Sequence, residues 1–235
     1  MRLETPITRT LGMTYPIALA AMDLVADGRL SIAVMDAGGF AFLGGGYGDE
    51  AWLKRELAVL APAARQRGRK FGVGFITWSV VQHSHLVDLC LAEGASAIWL
   101  SFGNPAPLIP RIHEAGALAV CQVQTEAMAR AALEAGADVL IAQGAEAGGH
   151  GVSRGTMALV PAIVDLAGPR VPVLAAGGIA DGRGLAAALM LGAAGVVMGT
   201  RFYASAEAAG KEAAKQRIVA TDGDGSVRSR GRELL

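Results

Sequence analysis

The fold of this chain can be read from residues 171–200, VPVLAAGGIADGRGLAAALMLGAAGVVMGT. Two short apolar runs, Val171–Ala176 and Gly195–Met198, have the length and composition of strands, and each is followed by a glycine-containing pair. The Ala/Leu-rich segment between them ends at Gly192, the position of a glycine that terminates a helix in the left-handed conformation. The stretch therefore predicts one strand–helix–strand unit of an α/β protein.

The same order of helix, glycine, alanine and strand recurs earlier in the chain, at Gly94, Gly116 and Gly136. Apolar residues have helical spacing in Glu50–Gln66 and Glu126–Ala135. Eight apolar runs are predicted as strands: Ile17–Ala21, Phe40–Leu43, Gly72–Ile76, Ala97–Ser101, Leu118–Val123, Val139–Ala142, Val171–Ala176 and Gly195–Met198. Eight strands that are each followed by a helix, and that are apolar on both faces, favour a closed (β/α)8 TIM barrel over a doubly wound open sheet.

The predicted barrel forms a single domain over residues 1–235, with its core at about residues 16–218. Segment Leu3–Tyr15 is predicted as a short N-terminal hairpin that plugs the bottom of the barrel. Residues 221–235 are predicted as a short C-terminal tail, for which a truncated extension is one interpretation.

The composition excludes several classes of protein. The 235 residues include 21 Lys+Arg and 21 Asp+Glu, and the C-terminal group of arginines at 228–232 is small, so the balance of charge argues against nucleic-acid binding. The hydrophobic content of 52% excludes a disordered chain. No apolar run is long enough to span a bilayer, and residues 1–10 do not have the pattern of a signal peptide. Cys90 and Cys121 lie in apolar runs without metal-type spacing, so we expect reduced core thiols in a cytoplasmic protein.

Two glycine-containing turns are candidates for binding an anion. Gly177 and Gly178 follow the seventh predicted strand, and Gly199 and Thr200 follow the eighth. Glycines allow backbone N–H groups to approach an anion closely, and we expect the following helix N-terminus to add a favourable dipole. The loops after strands seven and eight are neighbours in a barrel and form its recurrent phosphate site. Taken singly, either pair is also compatible with a tight turn only.

A third candidate is the segment AQGAEAGGHG, residues 142–151, after the sixth predicted strand. Gly148 and Gly149 would let the backbone lie flat against a planar ligand, with Gln143 as an amide donor or acceptor. His150 is the candidate catalytic base, because histidine exchanges protons readily near neutral pH. A structural histidine that caps the turn is the alternative.

The remaining ionisable and aromatic residues are less specific. Glu146 is interpreted as a residue that orients the loop or bonds a ligand hydroxyl. Three histidines fall at helix starts or on helices, and their spacing predicts no metal site: His83, His85 and His113. Three aromatic residues could equally line a substrate pocket or pack: Phe75, Trp78 and Phe102.

Together these motifs resemble the nitronate monooxygenase (2-nitropropane dioxygenase-like) family of FMN-dependent (β/α)8 barrels. The resemblance rests on AQGAEAGGHG, PVLAAGGIADGRGLAAALMLGA and GVVMGTRF, and on the opening YPIALAAM…GGFAFLGGG. It runs from about residue 5 to SVRSR at residues 226–230, so it covers nearly the whole chain. The resemblance implies a flavoenzyme that oxidises nitronates or nitroalkanes with O2 to a carbonyl compound and nitrite.

The resemblance also implies roles for individual residues. The flavin phosphate would lie at Gly177, Gly178, Gly199 and Thr200. The flavin ring would lie beside five residues: Ala21, Met22, Gln143, Gly148 and Gly149. His150 matches the candidate base of the family.

Three positions depart from the pattern of many relatives. The first strand ends in Ala21-Met22 instead of Pro-Met, and Gly74 replaces an asparagine on the third strand. Gln122 is the nearest match to a lysine or polar residue near the flavin on the fifth strand. Family members are also usually longer than 235 residues.

Two alternatives to a nitronate monooxygenase stay open. One is an NAD(P)H- and FMN-dependent reductase of the enoyl-ACP reductase II type, and the other is a flavin-binding barrel without turnover. For all of these candidates the expected partner is a small molecule, and for the nitronate monooxygenase it is a nitronate or nitroalkane together with O2. Binding to nucleic acid or to a membrane is not expected. A homodimer is a further possible partner state, because apolar helix faces are expected to be exposed.

Overall fold

The computed structural model describes residues 3–151 and 153–226, and its strands form one closed parallel barrel in the order β1 to β8. The strands are β1 (Ile17–Leu19), β2 (Phe40–Gly46), β3 (Gly72–Ile76), β4 (Ala97–Ser101), β5 (Leu118–Val123), β6 (Val139–Gln143), β7 (Val173–Ala176) and β8 (Gly195–Met198). Because β1 pairs with β8, the sheet has no free edge. The TIM barrel prediction is therefore confirmed, and the open sheet is excluded.

Helices follow the strands around the outside of the barrel. Over the described residues they are α1 (Pro6–Leu11), α2 (Gly28–Asp36), α3 (Glu50–Gln66), α4 (Thr77–Val80), α5 (His85–Ala92), α6 (Ile109–Glu114), α7 (Glu126–Glu134), α8 (Thr156–Ala167), α9 (Gly182–Met190), α10 (Thr200–Tyr203) and α11 (Glu212–Ala220). The glycines after four of these helices have φ angles of 96°, 72°, 99° and 91°, as predicted: Gly94, Gly116, Gly136 and Gly192.

The prediction of an N-terminal hairpin is wrong, because Pro6–Leu11 forms the helix α1. Local capping explains the difference: the Thr5 N–H donates to Thr8 Oγ1 at 3.0 Å, and Gly12 ends the helix at φ 71°. The predicted position at the barrel bottom is confirmed. Gly195, the first residue of β8, marks the amino-terminal end of that strand, and a Cβ atom built on it would lie 3.0 Å from the Ile7 side chain.

Four strands differ from the prediction at their ends. β2 continues three residues further, to Gly46, and β6 one residue further, to Gln143. β1 stops at Leu19, two residues early, and β7 starts at Val173, two residues late. A 3-10 turn over Gly168–Arg170 precedes β7, and Pro172 has no N–H to donate to a ladder. The arginines at 228–232 and most of the predicted tail lie outside the described residues.

Apolar side chains fill the lower and middle barrel. Phe40, Phe42 and Trp99 pack edge to face, with ring centroids 4.9 and 5.2 Å apart, and each fully buried aromatic or aliphatic side chain contributes about 1.5–3 kcal/mol. Cys90 and Cys121 are free and buried, and burial raises the pKa of each thiol to about 12. No helix within the described residues combines the length and the apolarity that a membrane span requires.

Candidate active site

The predicted site residues lie at the carboxyl ends of the barrel strands or in the loops that follow them. Because the strands are parallel, these ends share one face of the barrel, here called the mouth. The structure brings the following residues to the mouth: Ala21, Met22, Gln122, Gln143, Gly148, Gly149, His150, Gly177, Gly178, Gly199 and Thr200.

The chain after β1 leaves the barrel wall and crosses the mouth. The Met22 N–H donates to the Ala20 carbonyl at 2.8 Å, which closes a tight turn. A Cβ atom at Gly44 would lie closer than 3.0 Å to the Met22 carbonyl, and one at Gly74 closer than 3.0 Å to the Ala21 Cβ. Two glycines on β2 and β3 therefore make room for this segment.

A cluster of three glutamines lies at the ends of β5 and β6. Gln143 Oε1 accepts hydrogen bonds from Gln122 Nε2 at 2.6 Å and from Gln124 Nε2 at 2.5 Å. The Ser101 hydroxyl donates to Gln122 Oε1 at 3.3 Å. Gln124 was not predicted as a site residue, although it directly follows β5 and stands two residues after Gln122, the spacing that keeps side chains on one face of an extended chain.

The glutamine cluster holds the glycine-rich loop through its backbone. Gln143 Nε2 donates to the Gly148 carbonyl at 3.2 Å, and Gln124 Nε2 donates to the His150 carbonyl at 3.1 Å. No atom lies within 4 Å of a Cβ position built at Gly148 or Gly149, so this stretch of backbone faces open space. The glutamine cluster thus holds the loop from the barrel side, and Gly148 and Gly149 are accessible from the opposite side.

His150 has a nitrogen that the protein leaves without a partner. Its Nε2 is buried and makes no hydrogen bond within the described residues. The Phe102 ring packs against the imidazole with centroids 5.0 Å apart and an interplanar angle of 52°. Buried polar atoms are normally hydrogen-bonded, so this nitrogen is suited to receive a hydrogen bond or a proton from a bound ligand.

Glu146 and Thr156 connect the glycine-rich loop to the end of β7. Both the N–H and the hydroxyl of Thr156 lie 2.8 Å from a Glu146 carboxylate oxygen. The same hydroxyl lies 3.1 Å from the Gly177 carbonyl. Glu146 therefore orients the loop, which was one of its two predicted roles. Nothing in the sequence pattern indicated the part of Thr156.

The turns after β7 and β8 offer backbone donors. Gly177 and Gly178 have φ angles of 116° and 70°, which side chains other than glycine rarely adopt. Within the described residues, the backbone N–H groups of Gly178 and Gly199 make no hydrogen bond with the protein. Thr200 is exposed and starts α10. These groups are free to bind an anion.

The N-terminus of α9 was expected to support anion binding, but its backbone N–H groups are bonded within the chain. Asp181 Oδ1 accepts from the backbone N–H groups of Arg183 at 2.9 Å and Gly184 at 3.3 Å, so the chain's own carboxylate occupies that position. The side-chain hydrogen bond from Arg183 lowers the pKa of Asp181 to about 2. A ligand phosphate would therefore depend on the glycine turns themselves.

The aromatic residues divide between packing and the mouth. Phe75 is 2% exposed and belongs to the core, whereas Trp78 is 44% exposed on the short helix α4 that follows β3. Trp78 contacts Tyr47, which was not predicted as a site residue. No group of three or more His, Cys, Asp or Glu side chains in residues 3–151 and 153–226 could hold a metal ion.

Comparison with known proteins agrees with this geometry. Residues 64–230 match the family model described as nitronate monooxygenase. The chain belongs to the nitronate monooxygenase family. It is 37% identical over 228 residues to the (3aS,4S,5R,7aS)-5-hydroxy-7a-methyl-1-oxo-octahydro-1H-indene-4-carboxyl-CoA dehydrogenase of Mycobacterium tuberculosis, covering 97% of this chain and 63% of that protein. It is 33% identical over 248 residues to the nitronate monooxygenase of Neurospora crassa, covering 89% and 66%.

A solved structure places this family member among known barrels. FabK from Thermotoga maritima superposes with a TM-score of 0.84 at 36% sequence identity, over 93% of this chain and 68% of that one. The chain spans less than two thirds of the length of either curated relative named above.

Proposed function

We propose that this chain is an FMN-dependent oxidoreductase that oxidises nitronates, or nitroalkanes after deprotonation, with O2. Membership of the nitronate monooxygenase family supports this proposal. The observation that carries it is the His150 Nε2 atom, which is buried at the mouth without a hydrogen-bond partner among the described residues. A base in this position can accept the acidic proton beside a nitro group.

The residues at the mouth fit FMN. The free N–H groups of Gly178 and Gly199, with the Thr200 hydroxyl, would hold its phosphate. The open backbone of Gly148 and Gly149 would face its ring system. Ala21, Met22, Gln122 and Gln143 would also lie beside the ring. When bound, FMN supplies the electron transfer between the nitronate and O2.

His150 and the glutamine cluster perform the steps that fall to the protein. His150 Nε2 takes the proton from the carbon next to the nitro group, and the electron pair of that C–H bond moves into the C=N bond of the nitronate. The hydrogen bond from Gln124 to the His150 carbonyl keeps the base in place during this transfer. In the overall oxidation, two nitronates and one O2 give two carbonyl compounds and two nitrite ions, so atoms and charge balance.

The test of this proposal combines a spectrum with a kinetic comparison. The purified protein should show a flavin absorption spectrum and should release nitrite from nitroethane and from its preformed nitronate. His150→Asn should lower kcat/KM for neutral nitroethane about 10²- to 10⁴-fold and affect the preformed nitronate much less. His113→Asn, on the outer helix α6, is the control and should change neither rate. Full activity of His150→Asn on neutral nitroethane would remove the base from the proposal.

A second candidate is oxidoreduction of an acyl thioester. The dehydrogenase of Mycobacterium tuberculosis, whose name specifies a CoA thioester, is the observation that favours it. Such an enzyme, like a reductase of the enoyl-ACP reductase II type, would exchange electrons with NAD(P)H. Anaerobic addition of NADH separates the candidates: rapid bleaching of the flavin favours the second, and bleaching by nitronate alone favours the first. If flavin binds and neither compound bleaches it, the barrel is a non-catalytic flavin-binding protein.

A further inference from the structure

Three aromatic residues follow three consecutive strands on one side of the mouth. Tyr47 follows β2, Trp78 follows β3 and Phe102 follows β4. The Tyr47 and Trp78 rings meet at 5.6 Å with an interplanar angle of 62°, and 43% and 44% of these residues are exposed. The Phe102 ring continues the series to His150. We call Tyr47, Trp78 and Phe102 the aromatic arc.

Backbone contacts fix the aromatic arc in place. The Ser79 hydroxyl donates to the Tyr47 carbonyl at 2.7 Å, and the Trp78 N–H donates to the Phe102 carbonyl at 3.4 Å. Phe102 has a φ angle of 58°, one of two positive values among the described non-glycine residues. Leu24, the other, also lies in a loop of the mouth and is 52% exposed. Unfavourable backbone conformations of this kind concentrate at functional sites.

The segments that follow β1 to β5 on the same side of the mouth contain no lysine or arginine. The segments between β1 to β5 and the next long helices are residues 20–27, 47–49, 77–84 (which includes α4), 102–108 and 124–125, and all of them are described. Their only basic side chain is His83, which contacts His85. They carry three aspartates, of which Asp27 and Asp49 cap α2 and α3. A substrate carboxylate or phosphate would find no cation here.

Arginines near the mouth lie beyond β6 and at the start of α2, where Arg29 donates to the Ala206 carbonyl at 2.8 Å. Two of those beyond β6 are already paired. Arg154 bonds Glu126 at 3.0 Å, and Arg183 bonds Asp181. Arg201 lies on α10, beside the turn proposed for the flavin phosphate. Removing a charge from water without a partner is costly. The mouth is therefore divided into an anion-binding side at β7 and β8 and an apolar side at β2 to β4.

From this division we infer that the substrate carries an uncharged aryl or branched alkyl group, which packs on the aromatic arc while its acidic carbon faces His150. Aromatic side chains supply a large apolar contact area, and pockets of this type select by shape and by the absence of charge. The inference rests on the proposed function, because it assigns a substrate class to the same site. It selects against nitro compounds that bear a carboxylate and against phosphate-rich CoA thioesters.

Turnover of matched substrates tests the inference. We expect kcat/KM for phenylnitromethane to exceed that for 3-nitropropionate by about 10-fold or more, the scale on which apolar pockets discriminate. Trp78→Ala should raise KM for phenylnitromethane about 10-fold more than it raises KM for nitroethane, whereas Tyr47→Arg should improve kcat/KM for 3-nitropropionate. Met190→Ala, an exposed apolar residue at the far end of α9, is the matched control. An equal or better rate with 3-nitropropionate in the unmodified protein would overturn the inference.

A binding experiment keeps the inference separate from the proposed function. Nitrobenzene has no acidic C–H, and 3-nitrobenzoate is its carboxylated counterpart, so neither requires turnover. Titration of the flavin-loaded protein should give about 10-fold tighter binding of nitrobenzene, and Trp78→Ala should abolish the difference. Absence of activity on every nitro compound, with this preference intact, would refute the proposed function only. Equal binding of the two ligands would refute the aromatic arc as the specificity determinant.

Discussion

Replacement of Gly74 by alanine tests the path of the chain after β1. In the structure Ala21 crosses the mouth and occupies the space in front of Gly74. A Cβ atom at Gly74 would come closer than 3.0 Å to the Ala21 Cβ, whereas its next neighbours, Trp99 Cβ and Cγ, would lie at 3.5 and 3.6 Å. The last two distances are ordinary van der Waals contacts. The clash therefore comes from one methyl group, which a second substitution can remove.

The expected free energies follow from that geometry. Gly74→Ala overpacks a buried site and should lower the free energy of unfolding by about 2 kcal/mol, within the range of about 1–3 kcal/mol for such changes. Ala21→Gly loses a methyl group and gains backbone freedom, at a cost of about 1 kcal/mol. If the two effects were independent, the double variant would lose about 3 kcal/mol. Because the glycine removes the clash, we expect a loss of only about 1 kcal/mol, a coupling of about 2 kcal/mol.

Urea unfolding of the four proteins, followed by far-ultraviolet circular dichroism, measures this coupling. The denaturant slopes should agree among the variants, so that midpoints report stability. A double variant whose loss equals the sum of the single losses within about 0.5 kcal/mol would refute the proposed path. A Gly74→Ala variant as stable as the unmodified protein would do the same.

Two further substitutions probe the contacts around the mouth. Gln124→Ala removes the donor to Gln143 and to the His150 carbonyl, and should lower kcat for neutral nitroethane about 10-fold. Gln124→Glu should not restore this activity, because a carboxylate cannot donate a hydrogen bond. An unchanged kcat in Gln124→Ala would contradict the role of Gln124. Asp181 has its pKa lowered from 3.8 to about 2, so its stabilising effect is complete above pH about 4 and is lost as the pH falls towards 2. Asp181→Asn should therefore flatten the loss of stability between these pH values in thermal unfolding, and an unchanged acid profile would contradict the assignment.

The parts of the structure that the sequence predicted well are those set by local chemistry. Strand composition and the glycines after the helices depend on a few adjacent residues, so Gly94 and Gly192 could be assigned to left-handed helix ends. The count of eight strands then selected the closed barrel. The N-terminal segment is also governed by local chemistry, because the pairing of Thr5 with Thr8 and the glycine at position 12 favour a short helix over the predicted hairpin.

The parts that the sequence did not predict depend on contacts between distant residues. Ala21 and Gly74 are two separate departures from the family pattern in the sequence, and they are neighbours in the structure, since a side chain larger than hydrogen at 74 would clash with Ala21. Gln124 directly follows β5 and Gln143 ends β6, and only the register of these two strands brings them together. Contacts of this kind can be predicted only when the arrangement and the register of the strands are known.

His150 lies where the two sides of the mouth meet, and its two neighbours hold different parts of it. Gln124 fixes the backbone carbonyl from the barrel wall, and Phe102 fixes the ring from the aromatic arc. A positive φ angle is energetically unfavourable for phenylalanine. Surrounding contacts must therefore stabilise the backbone conformation of Phe102, among them the hydrogen bond from the Trp78 N–H to its carbonyl. The orientation of the base is therefore coupled to the wall that contacts the substrate. On this reasoning a substrate that packs against the aromatic arc also steadies the imidazole, and reactivity should increase with the apolar area of the group that the arc receives.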